Sequence, residues 1–150
     1  MIPASVPLTI DHKQNFYFRR EGECVLLSGP QDESPSFNLN TDFAARVVTA
    51  EKATNLVPAF ENTNIARGWA GLYEISPDNH AILGNVPEVE GLVLAVGFSG
   101  HGFQHGPAAG MAIAELITNG KSEVIDITAL TLGRFKEGKA IKESLTAFKD

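Results

Sequence analysis

The stretch Leu92–Gly120, LVLAVGFSGHGFQHGPAAGMAIAELITNG, decides how the rest of the chain is read. It opens on Leu92-Val93-Leu94-Ala95-Val96, apolar on both faces, which is the pattern of a buried strand. A turn follows with glycines at 97, 100, 102 and 106. The punctuation then predicts a helix from Pro107, where a first-turn proline is tolerated, to Gly120 as a left-handed C-cap. Ala109, Ala112, Ile113, Leu116 and Ile117 share one face at helical spacing. Gly106 and Gly110 leave the start of that helix open to close approach. Strand, glycine turn and helix together present backbone N–H groups and a helix N-terminus to an electron-rich ligand. The same residues also serve as a tight connection with no ligand, and their spacing is not G-x-G-x-x-G.

Outward from this stretch, composition sets the class. The chain has 150 residues, 43% hydrophobic and 20% charged, enough for one domain with a core. A net charge of −6, with no basic run, argues against nucleic acid and anionic membranes as partners. No apolar run approaches the roughly 20 residues needed to cross a bilayer. The opening MIPASVPLTID lacks the pattern of a secretion signal. The single cysteine, Cys24, excludes an intramolecular disulfide and fits a reducing compartment, so the chain reads as cytoplasmic. Its alternating surroundings make it a buried strand thiol.

Residues 1–10 read as extended or irregular. Phe16–Arg20 and Cys24–Ser28, separated by Glu21-Gly22-Glu23, predict an antiparallel hairpin. Asn40, Thr41 or Asp42 caps a helix running to about Leu56, with Phe43, Val47, Ala50, Thr54 and Val57 on one face and Pro58 ending it. Ile65–Ile75 is strand-like, although Gly68 and Gly71 suggest a bulge or a close backbone approach. Ser76-Pro77-Asp78-Asn79 is a turn, with Asp78 an ordinary turn aspartate. Ala81–Gly84 is a short strand, and Pro87–Gly91 leads into Leu92. Val124–Phe135 reads as mostly irregular, and residues 139–148 as an amphipathic helix. The fold class is α+β. The Leu92–Val96 strand, suited to a parallel sheet, has no parallel neighbour in the chain and so no sheet of its own.

Several residues bear chemistry. Gly97-Phe98-Ser99-Gly100-His101 approximates a nucleophile elbow, but His101 stands at its last glycine and no histidine follows His105. A serine hydrolase is therefore a third reading, testable with a serine-reactive probe at Ser99. His101 and His105 are four apart, yet the helix is expected only from Pro107 and no cysteine or carboxylate completes a metal set. His12 and His80 read as surface or turn residues. Arg67, Trp69 and Tyr73 line a pocket or, for Trp69, fill a core.

Taken together, the chain resembles the C-terminal part of the FAD-dependent D-amino-acid oxidase-like family, of the sarcosine oxidase β-subunit and dye-linked proline dehydrogenase types. The resemblance rests on Gly68-Trp69-Ala70-Gly71-Leu72-Tyr73-Glu74-Ile75-Ser76-Pro77-Asp78, then Ile82-Leu83-Gly84 and Gly91-Leu92. It continues through Gly97-Phe98-Ser99-Gly100-His101-Gly102-Phe103, the Pro107–Gly120 helix and Arg134-Phe135, with a looser match at the Phe16–Arg20 hairpin. It implies a substrate-domain sheet and helix over residues 1–91, an FAD-domain strand, loop and helix over 92–135, and a C-terminal helix over 136–150.

The resemblance further implies FAD, bound non-covalently, with Gly97, Phe98, Ser99, Gly100, His101, Gly102 and Phe103 against the flavin. Amides of Gly100–Phe103 would face its N1/C2=O edge. Tyr73, Gln104 and His101 are the implied catalytic residues. Hydride would pass from the C–H beside the nitrogen of an amine or amino acid (sarcosine-, proline- or glycine-like) to flavin N5, giving an imine that hydrolyses. Tyr73 falls where glycine oxidase and D-amino-acid oxidase carry a carboxylate-binding arginine. Gln104 falls where monomeric sarcosine oxidase carries a lysine. Gly71 falls where that enzyme attaches its flavin to cysteine, which excludes such attachment here. The family's G-x-G-x-x-G fingerprint is missing from the sequence. The expectation is a truncated piece or split-gene product, inactive alone, that pairs with itself or with a complementary N-terminal FAD-domain chain. The competing reading is a non-catalytic, partner-binding module derived from such an enzyme.

Overall fold

The computed structural model describes residue 3, residues 5–29 and residues 34–142. The chain divides into two compact units, Met1–Leu72 and Tyr73–Asp150. The architecture is α+β with antiparallel sheets.

In the first unit β1 (Thr9–Asp11), β2 (Phe16–Glu21) and β3 (Cys24–Leu27) form a meander in that order. The predicted hairpin is present: Glu21 pairs with Cys24 across a turn in which Gly22 takes φ 57°. Within the segment read as extended or irregular, Thr9 and Ile10 join the edge strand β1, opposite Phe18 and Tyr17. Alternation along β2 sends Phe16 and Phe18 inward, where they meet Ala53 and Phe60. Phe18 and Phe60 pack edge-to-face, with ring centroids 5.7 Å apart. Cys24 is exposed, not buried, because it lies at the hairpin tip beyond the reach of the helix.

The helix α1 (Phe43–Leu56) starts at Asp42, whose Oδ1 accepts the Ala45 N–H at 2.6 Å. Its buried face differs from the predicted one. Thr49 and Ala53 point inward, whereas Phe43 is 80% exposed and Val47 also faces out. The large rings on the sheet leave room for small residues, and the Thr49 hydroxyl is satisfied by the Ala45 carbonyl at 2.8 Å. A 3-10 turn, Pro58–Asn62, follows and carries Phe60 into the core. The expected strand over Ile65–Ile75 does not form: the segment is free of ladder bonds until Ile75 makes a single bridge to Phe98. A strand needs a partner edge, and among the described residues Ile65–Glu74 pairs with none.

In the second unit β4 (Ile82–Asn85) pairs antiparallel with β5 (Val93–Val96), Ile82 opposite Val96. The Leu92–Val96 run therefore does have a sheet, closed by the 86–91 turn with Gly91 at φ 77°. It is not fully buried, since Leu92 and Val96 stay substantially exposed. The helix α2 runs Gly102–Asn119 and ends at Gly120, φ 78°. Ala109 and Ala112 pack on Leu83 and Ile127, flanked by Ile113 and Leu116, while Ile117 faces out. The helix thus begins five residues before Pro107. The ring forfeits only one bond, to the Phe103 carbonyl, in a turn where bonding is just beginning. Gly106 and Gly110 face open space. Beyond α2 come a 3-10 turn, Thr128–Leu130, and the short α3, Gly133–Lys136. Of the predicted helix 139–148, residues 139–142 are not helical and the remainder lies outside the described residues.

Candidate functional site

The β5–α2 loop is built from unusual backbone. Gly97, Ser99 and Gly100 take φ 68°, 51° and 90°. Ser99 is the costly member, because a side chain crowds the backbone in the left-handed region. Four hydrogen bonds hold it there, the longest a 3.5 Å contact between its Oγ and Ser76 Oγ. Its N–H donates to the Glu74 carbonyl at 3.3 Å, its Oγ donates to the Gly97 carbonyl at 3.1 Å, and that Oγ accepts the Ser76 N–H at 3.1 Å. A Cβ on Gly97 would stand 3.0 Å from Ser76 Cβ, and one on Gly100 would stand 3.3 Å from Tyr73 Cζ. Glycine is therefore demanded at both positions by contact as well as by φ.

The loop ends at His101, whose N–H reaches the Phe98 carbonyl at 2.9 Å and whose carbonyl accepts the His105 N–H at 3.2 Å. His105 makes the first bond of α2, so the amides of Gly102, Phe103 and Gln104 precede any intrahelical partner. They carry the positive end of the helix dipole. The same turn is apolar at its tip: Phe103 is 98% exposed.

Behind the loop sits a buried ion pair. Arg134 Nε and a terminal nitrogen grip the two Asp78 oxygens at 2.7 and 2.8 Å, with both side chains nearly inaccessible. Arg134 also donates to the carbonyls of Leu130, Thr131 and His80, at 2.8, 3.2 and 2.9 Å, so every N–H of the guanidinium is used. Asp78 additionally accepts the N–H groups of His80 and Ile141 and lies 3.3 Å from Ser76 Oγ. The Arg134 hydrogen bonds, helped by the Ile141 and His80 amides, hold the Asp78 carboxyl well below the usual carboxylate range against the opposing effect of burial.

These positions settle where the predicted residues stand. Gly97 through Phe103 run unbroken from strand end to first helical turn, but Gly97 is buried and Phe98 packs against the α2 core, leaving Gly100, His101 and Phe103 as the exposed members. Tyr73 joins them, its ring lying over Gly100 and half exposed. His101 and Gln104 are exposed at the start of α2. Helical spacing does apply to His101 and His105, whose rings stack with centroids 5.7 Å apart. Among the described residues no group of three or more metal-ligating side chains gathers anywhere. Arg67 stacks on Trp69 at 5.9 Å in an exposed, extended segment. Asp78 is no ordinary turn aspartate: the turn forms, with Asn79 at φ 60°, but the carboxylate faces inward. Ser76, Asp78 and Arg134 are the residues that local reading misses, since their link spans 56 positions.

Comparison with known proteins supplies the context. The profile of the family described as FAD dependent oxidoreductase matches residues 2–116. FAD-dependent oxidoreductase domain-containing protein 1 of Xenopus laevis is 37% identical over 137 residues, covering 86% of this chain and 27% of that protein. Mitochondrial sarcosine dehydrogenase of Mus musculus is 27% identical over 141 residues, covering 87% of this chain and 15% of that protein. The crystal structure of L-proline dehydrogenase from P. horikoshii superposes with a TM-score of 0.82 at 31% identity, covering 90% of this chain and 36% of that chain. The chain thus spans about a quarter of the Xenopus relative and about a third of the solved structure.

Proposed function

The chain belongs to the FAD-dependent oxidoreductase family, and we propose that Gly97–Phe103 with the first turn of α2 is the surface that receives the flavin edge of FAD. The carrying observation is the run of left-handed backbone at Gly97, Ser99 and Gly100, which delivers the Gly102–Gln104 amides to an exposed helix start. The residues present suit an electron-rich, planar group. Donors with no intrahelical partner lie at the start of α2, beside Gly100, whose lack of a side chain lets the Tyr73 ring lie against the backbone. FAD held here would supply a hydride acceptor for the C–H beside the nitrogen of an amine or amino acid.

The chain's own contribution is to bind and orient. Backbone amides and the α2 dipole stabilise negative charge placed at the helix start, with no reorganisation needed at the moment of reaction. Exposed Phe103 covers an apolar ring and excludes water beside it. Tyr73 and Gln104 offer hydrogen bonds to substrate without a fixed charge. With no cation at these two positions, they offer an amine or amino acid polar contacts and no charged grip on a carboxylate. The sequence contains no G-x-G-x-x-G, so the proposed role is the flavin-edge half of the site and not the pyrophosphate cradle.

The test is an amide NMR titration of the 15N-labelled chain with millimolar FMN, which carries the flavin without the adenosine. Shifts concentrated on Gly97–Gln104 are expected. Shifts confined to other segments, with this loop unmoved, would refute the assignment.

A further inference from the structure

The glycine loop and the Asp78–Arg134 pair meet at one residue, Ser76. It is buried, its N–H donates to Ser99 Oγ at 3.1 Å, and its own Oγ donates to the His80 carbonyl at 2.7 Å while lying 3.3 Å from Asp78 Oδ1. Nothing separates it from Gly97, whose missing Cβ would stand 3.0 Å from Ser76 Cβ. We propose that Ser76, fixed from behind by the Asp78–Arg134 pair, is a positioning residue that holds Ser99 left-handed and so aims the Gly102–Gln104 amides. The inference rests on the reading that those amides serve the flavin.

Ser99 has no intrinsic reason to stay at φ 51°. Three of its four restraints, the Glu74 carbonyl and the Ser76 N–H and hydroxyl, come from one segment, Glu74–Ser76. That segment has no sheet of its own beyond the single Ile75–Phe98 bridge. Its rigidity must come from the turn that follows, where the Arg134 guanidinium gathers Asp78, the His80 carbonyl and the Leu130–Thr131 carbonyls into one knot. A buried network with every donor satisfied has a single low-energy arrangement, which suits it to setting geometry at a distance. A looser turn would free Ser76, then Ser99, then the helix start.

Hydrogen exchange on the full chain tests this without any cofactor, so its outcome is independent of whether flavin binds. The informative amides are Ser99, bonded to the Glu74 carbonyl, and His101, bonded to the Phe98 carbonyl. In Ser76→Ala, which leaves the ion pair intact, exchange at these two is expected to quicken by about tenfold or more while the β4, β5 and mid-α2 amides keep their protection. In Asp78→Asn, which lowers the stability of the whole unit, exchange at Ser99 and His101 is expected to rise by a larger factor than at the β4, β5 and mid-α2 amides; should that variant fail to fold, Ser76→Ala decides alone. Unchanged rates at Ser99 and His101, or an equal rise across the whole unit, would overturn the proposal by showing no link or a merely structural one.

Discussion

Ser99 and Gly100 shape the loop through their backbones, and their side-chain requirements are opposite. Ser99 needs its hydroxyl to stay left-handed, while Gly100 needs the lack of any side chain, at φ 90° under the Tyr73 ring. Gly100→Ala therefore incurs both a backbone penalty and a 3.3 Å contact, and is expected to lower stability by about 1–3 kcal/mol in urea unfolding. A variant as stable as the parent would show that the ring lies elsewhere. Asp78 makes a pH prediction. Its carboxyl is depressed in the folded chain, so its contribution is complete above the unfolded value, near 3.8, and is lost as pH falls below it toward the folded value. Parent stability should fall from about pH 5 downward more steeply than that of Asp78→Asn, which has no proton to take up. At neutral pH that variant strands a buried guanidinium, so it should be less stable by about 3–5 kcal/mol.

At the scale of elements, local signals were reliable where one rule governs. The Glu21–Cys24 turn forms because glycine supplies the left-handed corner, and α1 begins at Asp42 because only a short acceptor satisfies the Ala45 N–H there. Asp42→Ala should lower the stability of α1 by about 1 kcal/mol, read as a drop in urea midpoint with unchanged slope. Facing and burial were less legible. The stripe through Phe43 and Val47 is hydrophobic, yet the rings of Phe16, Phe18 and Phe60 had already filled the core and selected Thr49 and Ala53. Pro107 hid the true start of α2, because a proline one turn inside a helix breaks only one bond. Ile65–Ile75 has strand composition but no partner edge. Of the site, the loop residues 97–103 were legible as a glycine turn between strand and helix. The Asp78–Arg134 pair was not, since no local pattern encodes a contact across 56 positions.

At the scale of the whole molecule, the chain leaves much apolar surface open. Trp69 is 67% exposed and Phe103 98%, and Leu92, Val96, Met111 and Ile117 also face out. Among the described residues no helix is long and apolar enough to cross a membrane. We propose instead that a second protein surface covers them, either another copy or a segment bearing the dinucleotide fingerprint. On the proposed reading Gly97–Phe103 receives the flavin edge, while the sequence contains no G-x-G-x-x-G to cradle the rest of FAD. The measurement that tests both is a visible absorption spectrum of the purified chain after incubation with FAD and gel filtration. The account predicts a folded, colourless protein whose flavin is lost on the column. Flavin bands that travel with the chain would contradict it, because they would mean these 150 residues hold FAD without a pyrophosphate cradle.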